Sequence, residues 1–320
     1  MTCPVCLSTA THTRAFAGSD LHFETTPRRF HFSGCESCRS LFIEPMPAEG
    51  ELASFYPQPY WWNSSSGSLK ALQSLYRRIV LRDHMAFIEK AAASLRVRPM
   101  RLLDVGCGSG TLLGLLKRRN FDVRGFDPSS EAARIAGAGS GVEVVVGSNL
   151  QDVTFAEHAF DLVTLFHVLE HVPDPRSVLQ EVRRILQPEG RIILQVPNVA
   201  SWQSRLLGAR WYALDVPRHV IHYSARSIQR LVEDSGFRVR RVRHFNLRDN
   251  APALASSLFP SLDPVSRRAR LRRHDRSESG AVGALKDGLY LAVVAAVTPF
   301  AVVEALAGAG ATVMLEAEKA

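Results

Sequence analysis

Residues 103–111 read Leu-Asp-Val-Gly-Cys-Gly-Ser-Gly-Thr, and this stretch decides the fold of the 320-residue chain. A strand-like run ends at Val105, and a helix-like run begins at Thr111. Glycines at such a junction permit a tight turn and let a ligand approach the backbone, and the N-terminus of the helix attracts an anion. The spacing is Gly-x-Gly-x-Gly and not the dinucleotide pattern Gly-x-Gly-x-x-Gly. The stretch therefore predicts a ligand-binding turn between a strand and a helix.

From residue 101 onward, strand-like and helix-like runs alternate along the chain. The predicted strands are Arg101–Val105, Asp122–Phe126, Val142–Val146, Phe160–Phe166, Arg191–Val196 and Phe237–Phe245. The predicted helices include Thr111–Arg119, Ser129–Ala136, Pro175–Leu186 and Ala225–Asp234. This repetition is typical of an α/β fold in which helices cover both faces of a parallel sheet.

Polar side chains follow three neighbouring predicted strands. Asp127 ends the strand after the glycine turn, where a carboxylate can accept both hydroxyls of a ribose. Asn149 and Leu150 follow the next strand, where a polar and an apolar side chain together could frame an adenine. Residues 167–171, His-Val-Leu-Glu-His, follow the fourth strand. Three polar side chains at i, i+3 and i+4 share one face of a helix, where they could bind a divalent metal or act as a base.

Three segments together resemble the class I S-adenosylmethionine-dependent methyltransferases. They are residues 104–110, residues 160–172 (Phe-Asp-Leu-Val-Thr-Leu-Phe-His-Val-Leu-Glu-His-Val) and residues 186–192 (Leu-Gln-Pro-Glu-Gly-Arg-Ile). The resemblance covers about residues 70–246. It implies a Rossmann-like sheet of seven strands with a reversed last hairpin, in which Ala311–Glu318 is the seventh strand.

The resemblance also implies that the cofactor is S-adenosylmethionine. The residues that we assign to cofactor binding are Asp104, Gly106, Gly108, Gly110, Asp127, Asn149, Leu150 and His167. In the family pattern, the first aspartate and the glycines hold the methionine end, the second aspartate binds the ribose, and the Asn-Leu pair faces the adenine.

Residues 167–171 are also similar to those of the ubiquinone-pathway O-methyltransferases, in which acidic groups and a histidine bind a divalent cation. This chain departs from that group at His167, where the group has an acidic residue. A hard cation such as Mg²⁺ prefers oxygen ligands, so the departure argues against a Mg²⁺ site. Glu170 and His171 either take part in catalysis or only shape the cofactor pocket.

A second polar cluster lies in residues 211–224, between the fifth and sixth predicted strands. This region supplies acceptor-site residues in many members of the family. Methyl transfer to oxygen or nitrogen requires a general base, and our preferred base is His219 or His222. The alternative is that both are ordinary hydrogen-bonded histidines. The predicted catalytic residues are His219, His222, Glu170 and His171.

Four of the five cysteines form two Cys-x-x-Cys pairs, Cys3 with Cys6 and Cys35 with Cys38, with 28 residues between the pairs. Two such pairs can complete a tetrahedral S₄ site for structural Zn²⁺, which would supply folding energy to a small module. A redox role would use one pair beside a βαβ unit. We therefore predict a zinc-ribbon-like module over residues 1–46. The N-terminus lacks the pattern of a secretory signal, so we expect a cytoplasmic protein.

Residues 47–68 are predicted to hold a short helix over Ala48–Phe55 and then a linker. Its aromatic residues either dock the linker or cover a substrate; they are Tyr56, Tyr60, Trp61 and Trp62. A helix should run from Ser68 to about Leu95, and residues 69–320 should form the methyltransferase domain, with a basic and apolar insertion at about residues 247–310.

The formal net charge of +8 is concentrated in residues 237–276, which hold 11 arginines and 3 aspartates. Residues 289–303 then carry no charge. A basic run beside a short apolar helix fits peripheral contact with the inner face of an anionic membrane, and the alternative is a buried helix flanked by a solvated arginine loop. The arginine run lacks interleaved aromatic residues, so we do not expect nucleic acid as a partner.

The leading hypothesis is methyl transfer to a small-molecule, sugar, glycan or lipid-linked acceptor by in-line displacement. The second is an RNA methyltransferase that holds RNA with the zinc module and the arginine run. The third is a non-catalytic S-adenosylmethionine-binding scaffold at a membrane.

Overall fold

The computed structural model describes residues 2–10, 12–56, 79–95 and 97–320. The strands, in chain order, are β1 (His12–Ser19), β2 (Arg29–Cys35), β3 (Leu41–Ile43), β4 (Met100–Val105), β5 (Phe121–Asp127), β6 (Val144–Val146), β7 (Phe160–Phe166), β8 (Leu186–Pro197), β9 (Ile221–His222), β10 (Phe237–Arg243) and β11 (Thr312–Lys319). Seven of them form the central sheet in the order β10-β11-β8-β7-β4-β5-β6. Strand β11 runs antiparallel to both of its neighbours, and the pairings from β8 to β6 are parallel. The predicted fold, including its reversed last hairpin, is confirmed.

The helices are α1 (Glu49–Leu52), α2 (Arg82–Leu95), α3 (Thr111–Lys117), α4 (Ser130–Ser140), α5 (Pro175–Ile185), α6 (Trp202–Leu207), α7 (Ala225–Asp234), α8 (Asn250–Leu258), α9 (Pro264–Arg273) and α10 (Gly280–Leu306). Several begin at side-chain caps that the sequence supplies. Ser129 accepts a hydrogen bond from the backbone of Ala132, and Ser224 accepts one from Ser227. Such caps satisfy backbone N–H groups that have no partner inside the helix.

The central strands are buried on both faces, because alternate residues of each strand contribute to two separate cores. On β4, Leu102 belongs to the core with α2, α3 and α4, whereas Leu103 belongs to the core with α5, α7 and the N-terminal residues. This burial explains why the strands read as nearly continuous apolar runs.

The N-terminal residues form a second, four-stranded sheet in the order β1-β2-β3-β9. Its fourth strand, β9, comes from the segment between β8 and β10. The core on this side is continuous from Cys3 and Phe32 in the N-terminal sheet to Leu169 and Trp211 beside the central sheet. The boundaries at residues 46 and 68 remain predictions.

Most of the predicted elements lie where the sequence placed them. The predicted helix over residues 48–55 appears as α1 followed by a 3₁₀ turn at Ala53–Phe55. The predicted helix that begins at Ser68 is described only in its final part, where α2 ends at Leu95. Tyr60, Trp61 and Trp62 lie outside the described residues.

Helices α8, α9 and α10 lie between β10 and β11, and the structure differs from both parts of the alternative that placed a buried helix beside a solvated arginine loop. The arginine run is not a solvated loop: it forms most of α9, where Arg267 is 5% exposed and pairs with Asp287 at 2.6 Å. Helix α10 is largely exposed: of its 27 residues, three are buried, namely Tyr290, Ala301 and Glu304. Helix α10 contacts α8 through Tyr290, whose hydroxyl lies 3.0 Å from Ser256 Oγ.

Candidate active site

The glycine turn at residues 106–110 lies at the carboxyl edge of the central sheet, where ligands bind in open α/β folds. The backbone N–H groups of Gly106 and Cys107 donate to the carbonyl of Phe126 at 2.8 and 3.1 Å, which ties the turn to the end of β5. Gly106 has a φ of +69°, and a Cβ there would lie 2.7 Å from Cγ2 of Val168. Only glycine fits at this position, because the loop after β7 packs directly on it.

Two buried aspartates flank this turn. Asp127 accepts hydrogen bonds from the N–H groups of Gly108 and Ser129, both at 2.9 Å, and burial raises its pKa. Asp104 accepts a hydrogen bond from Thr164 Oγ1 at 2.6 Å, and burial raises its pKa to about 7. Each carboxylate keeps lone pairs beyond these bonds, so both can accept further hydrogen bonds from a ligand.

The other predicted cofactor residues lie on the same edge. Asn149 is exposed at the start of the 3₁₀ turn Leu150–Asp152, and Leu150 is buried beneath it. Cys107 lies inside the glycine turn, where burial raises the pKa of its thiol, so it is not a nucleophile at neutral pH.

His167 stands between two carboxylates at the end of β7. Its Nδ1 lies 3.0 Å from Glu170 Oε1, and its Nε2 lies 3.2 Å from Asp249 Oδ2. Burial would lower the pKa of His167, but Asp249 and Glu170 raise it to about 9. His167 is therefore an imidazolium at neutral pH. The same contact with His167 keeps the pKa of Glu170 below its usual range, although burial opposes this.

The four predicted catalytic residues lie together in one cluster. The ring centroids of His171 and His219 are 4.6 Å apart, and those of His219 and His222 are 6.0 Å apart. Glu170 is fully buried, and its Oε2 has no hydrogen-bond partner among the described residues. Candidate ligand atoms of Glu170, His171 and His219 all lie within 4.8 Å of one another.

Backbone carbonyls fix the tautomers of His171 and His219. His171 Nδ1 lies 3.0 Å from the carbonyl oxygen of Arg218 and 3.0 Å from the hydroxyl oxygen of Tyr56, which can donate or accept. His219 Nδ1 lies 2.9 Å from the carbonyl oxygen of Ala213. A carbonyl oxygen only accepts, so both Nδ1 atoms carry the proton and both Nε2 atoms keep a lone pair. Burial, together with His219, lowers the pKa of His171 to about 4, so His171 is neutral near pH 7.

His222 differs from these two histidines. It is 1% exposed, and the backbone of His219 is its polar neighbour. Burial lowers its pKa to about 3. His222 lies on β9 and packs against the Phe32 ring, with a centroid distance of 5.4 Å.

Comparison with known proteins agrees with this geometry. A family model described as a methyltransferase domain matches residues 76–242, which is more than half of the chain. The chain belongs to the class I S-adenosylmethionine-dependent methyltransferases.

Curated relatives carry a more specific name. The ubiquinone biosynthesis O-methyltransferase of Pectobacterium atrosepticum is 32% identical over 210 residues, which are 62% of this chain and 84% of the relative. The enzyme of the same name from Cronobacter sakazakii is 33% identical over 175 residues, which are 52% of this chain and 69% of the relative. Among solved structures, the cyclase SpnF is 19% identical, with a TM-score of 0.47 over 81% of this chain and 85% of its own.

The four paired cysteines of the methyltransferase form a separate cluster near the N-terminus. Cys3 Sγ lies 3.7 Å from Cys38 Sγ, and Cys6 Sγ lies 3.6 Å from Cys35 Sγ. Zinc–thiolate bonds of about 2.3 Å in a tetrahedron place the sulfur atoms about 3.8 Å apart. These two distances match that spacing, and all four sulfur atoms lie within 4.8 Å of one another.

The two cysteine turns of the methyltransferase have the same backbone pattern. The N–H of Leu7 donates to the carbonyl of Cys3, and the N–H of Arg39 donates to that of Cys35. Leu7 and Arg39 also share the left-handed conformation, with φ values of 58° and 62°. The repeated turn aims both thiols of each pair at the same point.

Sequence reasoning missed several residues of the methyltransferase site. Asp249, at the start of α8, and Gln195, on β8, both contact His167. Arg218 and Asp20 form a fully buried ion pair beside His219. Arg218 lies in residues 211–224, directly before the predicted base His219. Its position next to this residue was the signal in the sequence that could have indicated a role for it.

Proposed function

We propose that this methyltransferase transfers a methyl group to a hydroxyl oxygen of a small, lipid-linked acceptor in the cytoplasm. The name of its curated relatives favours an oxygen acceptor and a quinone-type compound with a lipid tail. The acceptor is expected to enter at the carboxyl edge of the sheet, beside the cluster of Glu170, His171 and His219.

The observation that supports this proposal most is the pair of histidine Nε2 lone pairs in that cluster. A general base must be neutral before the reaction and within hydrogen-bond reach of the acceptor proton. His171 meets the first condition because burial holds its pKa at about 4. His219 has its Nδ1 occupied by a carbonyl, so its Nε2 is the basic atom.

S-adenosylmethionine would supply an activated methyl group on a sulfonium, so the protein mainly has to align that group with the acceptor. Asp104, Asp127 and the glycine turn are the residues that would hold the cofactor. His171 Nε2 or the neighbouring His219 Nε2 would take the proton as the acceptor oxygen forms its bond to carbon. Glu170, ionised and buried behind the two histidines, would stabilise the imidazolium that results.

The cluster of Glu170, His171 and His219 also offers two nitrogens and one carboxylate to a metal. His167 does not join it, since both of its ring nitrogens face Glu170 or Asp249. This donor set suits a transition metal better than Mg²⁺. The four cysteines are the residues that would hold structural Zn²⁺.

The test is a labelled-methyl assay with total lipid, glycan and RNA fractions. We expect label in the lipid fraction with the wild-type protein, loss of label with His219→Gln, and no loss with His274→Gln, a surface control. Label in RNA alone would support the RNA methyltransferase hypothesis instead. Tight binding of S-adenosylhomocysteine without label in any fraction would support the non-catalytic scaffold.

A second proposal is that helix α10 docks the methyltransferase on an anionic membrane. Within the described residues, Gly280–Leu306 is long and apolar enough to cross a membrane by length and composition, and 17% of its most apolar 18-residue window is buried. Its exposed side chains include Leu285, Leu291 and Val303, which are 64%, 54% and 55% exposed. Arg273 and Arg276 are exposed just before the helix and supply the complementary positive charge.

Co-sedimentation with vesicles tests this second proposal. Replacing Leu285, Leu291 and Val303 with Gln should abolish binding to anionic vesicles, whereas Val97→Gln, an exposed apolar control distant in sequence, should not. Raising the salt concentration should weaken binding, because screening shortens the reach of the arginines. Equal binding to neutral vesicles, or a stable dimer without vesicle binding, would exclude the proposal.

A further inference from the structure

The segment that carries His219 and His222 is part of the N-terminal sheet. Strand β9 pairs antiparallel with β3, so that His222 faces Leu41 and Ile221 faces Phe42. The N–H of Ile43 also donates to the carbonyl of Val220 at 2.9 Å. The cysteine module, defined here as residues 2–46, therefore forms one wall of the histidine cluster.

Arg218 joins the same two parts through its side chain. Its guanidinium is fully buried and binds Asp20 with two hydrogen bonds, Nη1 to Oδ2 at 3.0 Å and Nη2 to Oδ1 at 2.9 Å. It also donates to Asp215 Oδ1 at 2.6 Å and to the carbonyl of Phe55 at 3.0 Å. The guanidinium lies over the Phe23 ring, 4.4 Å from the centroid.

Asp20 is fixed by the module and not by Arg218 alone. Its carboxylate accepts hydrogen bonds from the N–H groups of Phe23 and Thr25 and from Thr25 Oγ1, at 3.0, 2.9 and 2.6 Å. The turn after β1 therefore presents a preorganised carboxylate to Arg218. Arg218 lowers the pKa of Asp20 and that of Asp215, although burial opposes both shifts. The two carboxylates in turn raise the pKa of Arg218, so all three groups are charged.

The backbone of Arg218 contacts both candidate bases. Its carbonyl oxygen accepts the hydrogen bond from His171 Nδ1, and the next residue in the chain is His219. The N–H of Val220 donates to the carbonyl of Glu170 at 2.8 Å. A shift of Arg218 would therefore move His219 and release the tautomer of His171.

We propose that Arg218 and Asp20 are positioning residues for methyl transfer, through which the cysteine module holds His171 and His219 in place. This inference rests on the proposed function of those histidines. The cofactor turn is attached to β5 instead, so it should not depend on the module.

Three variants separate this role from a general loss of stability. Arg218→Lys keeps the charge but cannot form the two-pronged contact with Asp20, and Asp20→Asn keeps the size but removes the charge. The matched control is Arg176→Ala. Arg176 also reaches the module, where it donates to the carbonyl of Val5 at 2.8 Å, but it lies on α5 and pairs with Asp234 of α7.

Hydrogen exchange and histidine NMR need no acceptor and are the first measurements. In Arg218→Lys and Asp20→Asn, we expect faster exchange in residues 211–224, unchanged exchange in residues 104–111, and a mixed tautomer of His171. Affinity for S-adenosylhomocysteine should stay at the wild-type value. The control should match the wild type in each measurement. Unchanged exchange and an unchanged His171 tautomer in both variants would overturn the proposal.

Turnover of the acceptor fraction that the wild type labels gives the second measurement. A misplacement of about 1 Å costs about 100-fold in rate, so we expect kcat to fall about 100-fold with a smaller change in KM. A loss that appears only in cofactor affinity would also overturn the proposal. Absence of label with the wild type would instead contradict the proposed function, and the exchange and NMR results would still decide the role of Arg218.

Discussion

Burial and neighbouring charges set the charge of single side chains at the carboxyl edge of the sheet. His167 is a cation because Asp249 and Glu170 face its two ring nitrogens, whereas burial keeps His171 neutral. Asp104 is close to half-protonated at neutral pH. These states arise from contacts between distant parts of the chain, so the sequence could suggest which residues matter but not which charge each one carries.

Gly108→Val should abolish cofactor binding and leave the protein folded. Gly108 has a φ of +53°, which a β-branched side chain adopts only with strain, and its N–H bonds to Asp127. Calorimetry with S-adenosylhomocysteine is the measurement, and circular dichroism checks the fold. Wild-type affinity in a folded variant would refute the assignment of this turn.

Cofactor binding should release protons at and just below about pH 7, because the pKa of Asp104 is raised to about 7 in the free protein. A bound ammonium group beside this carboxylate favours its ionised form. Affinity should therefore rise with pH up to about this value. Calorimetry in buffers of different ionisation enthalpy measures the protons released, and Asp104→Asn should remove the dependence.

Local motifs could be predicted from the sequence, whereas contacts between distant residues could not. The glycine turn, both aspartates and the cysteines could be predicted because each motif is local and carries its own chemistry. Asp20 and Arg218 are 198 positions apart, and neither belongs to a motif. Their pairing exists only because β9 joins the N-terminal sheet.

At the scale of elements, the two cysteine turns should bind one zinc per chain. Elemental analysis of protein purified without chelator should find it, and Cys38→Ser should lower both the zinc content and Tm. Cys107→Ser is the matched control, because Cys107 lies in the glycine turn and should not change the zinc content. A wild-type protein that contains no zinc and has the same Tm as Cys38→Ser would disprove the prediction.

Elements were predictable where local pattern and packing agree. Helix α7 lies at its predicted bounds, because Ser224 caps it and its apolar positions face the core. Strand β8 begins at Leu186, five residues earlier than predicted, since Phe160 pairs with Leu186 across the sheet. Helix α10 is longer than the short apolar helix expected at residues 289–303, and near its end Glu304 accepts a hydrogen bond from Gln203 and Phe300 packs against Trp202. Both differences depend on partners distant in sequence.

At the scale of the whole molecule, stability should fall as the solution becomes acidic. Burial lowers the pKa of His84 and His222 to about 3 and that of His171 to about 4. The histidines of the unfolded chain bind protons near pH 6.5. Below that pH the unfolded state holds protons that the folded state does not, so the free energy of unfolding decreases as the pH decreases. Asp104, whose pKa is raised to about 7, opposes part of this change.

The variant His84→Leu tests how much one buried histidine contributes to this loss of stability in acid. Neither ring nitrogen of His84 has a hydrogen-bond partner within the described residues, and its ring packs on the edge of Phe166. Below about pH 6, the free energy of unfolding of the variant should change less steeply with pH than that of the wild type, by up to about 1.4 kcal/mol per pH unit. Urea unfolding at several pH values measures it, with His274→Gln as the control. An unchanged slope would show that His84 titrates normally in the folded protein.

The pairing of β3 with β9 has a consequence for how the chain is made. The first 46 residues leave the ribosome long before residues 218–222 are synthesised, so until then the edge of β3 lacks its neighbour and Asp20 lacks its counter-ion. A strand edge without its neighbour invites wrong partners, and a buried carboxylate without a cation is destabilising. The N-terminal part should therefore mature late in synthesis, and it should not function when excised or transferred to another enzyme as a separate cassette.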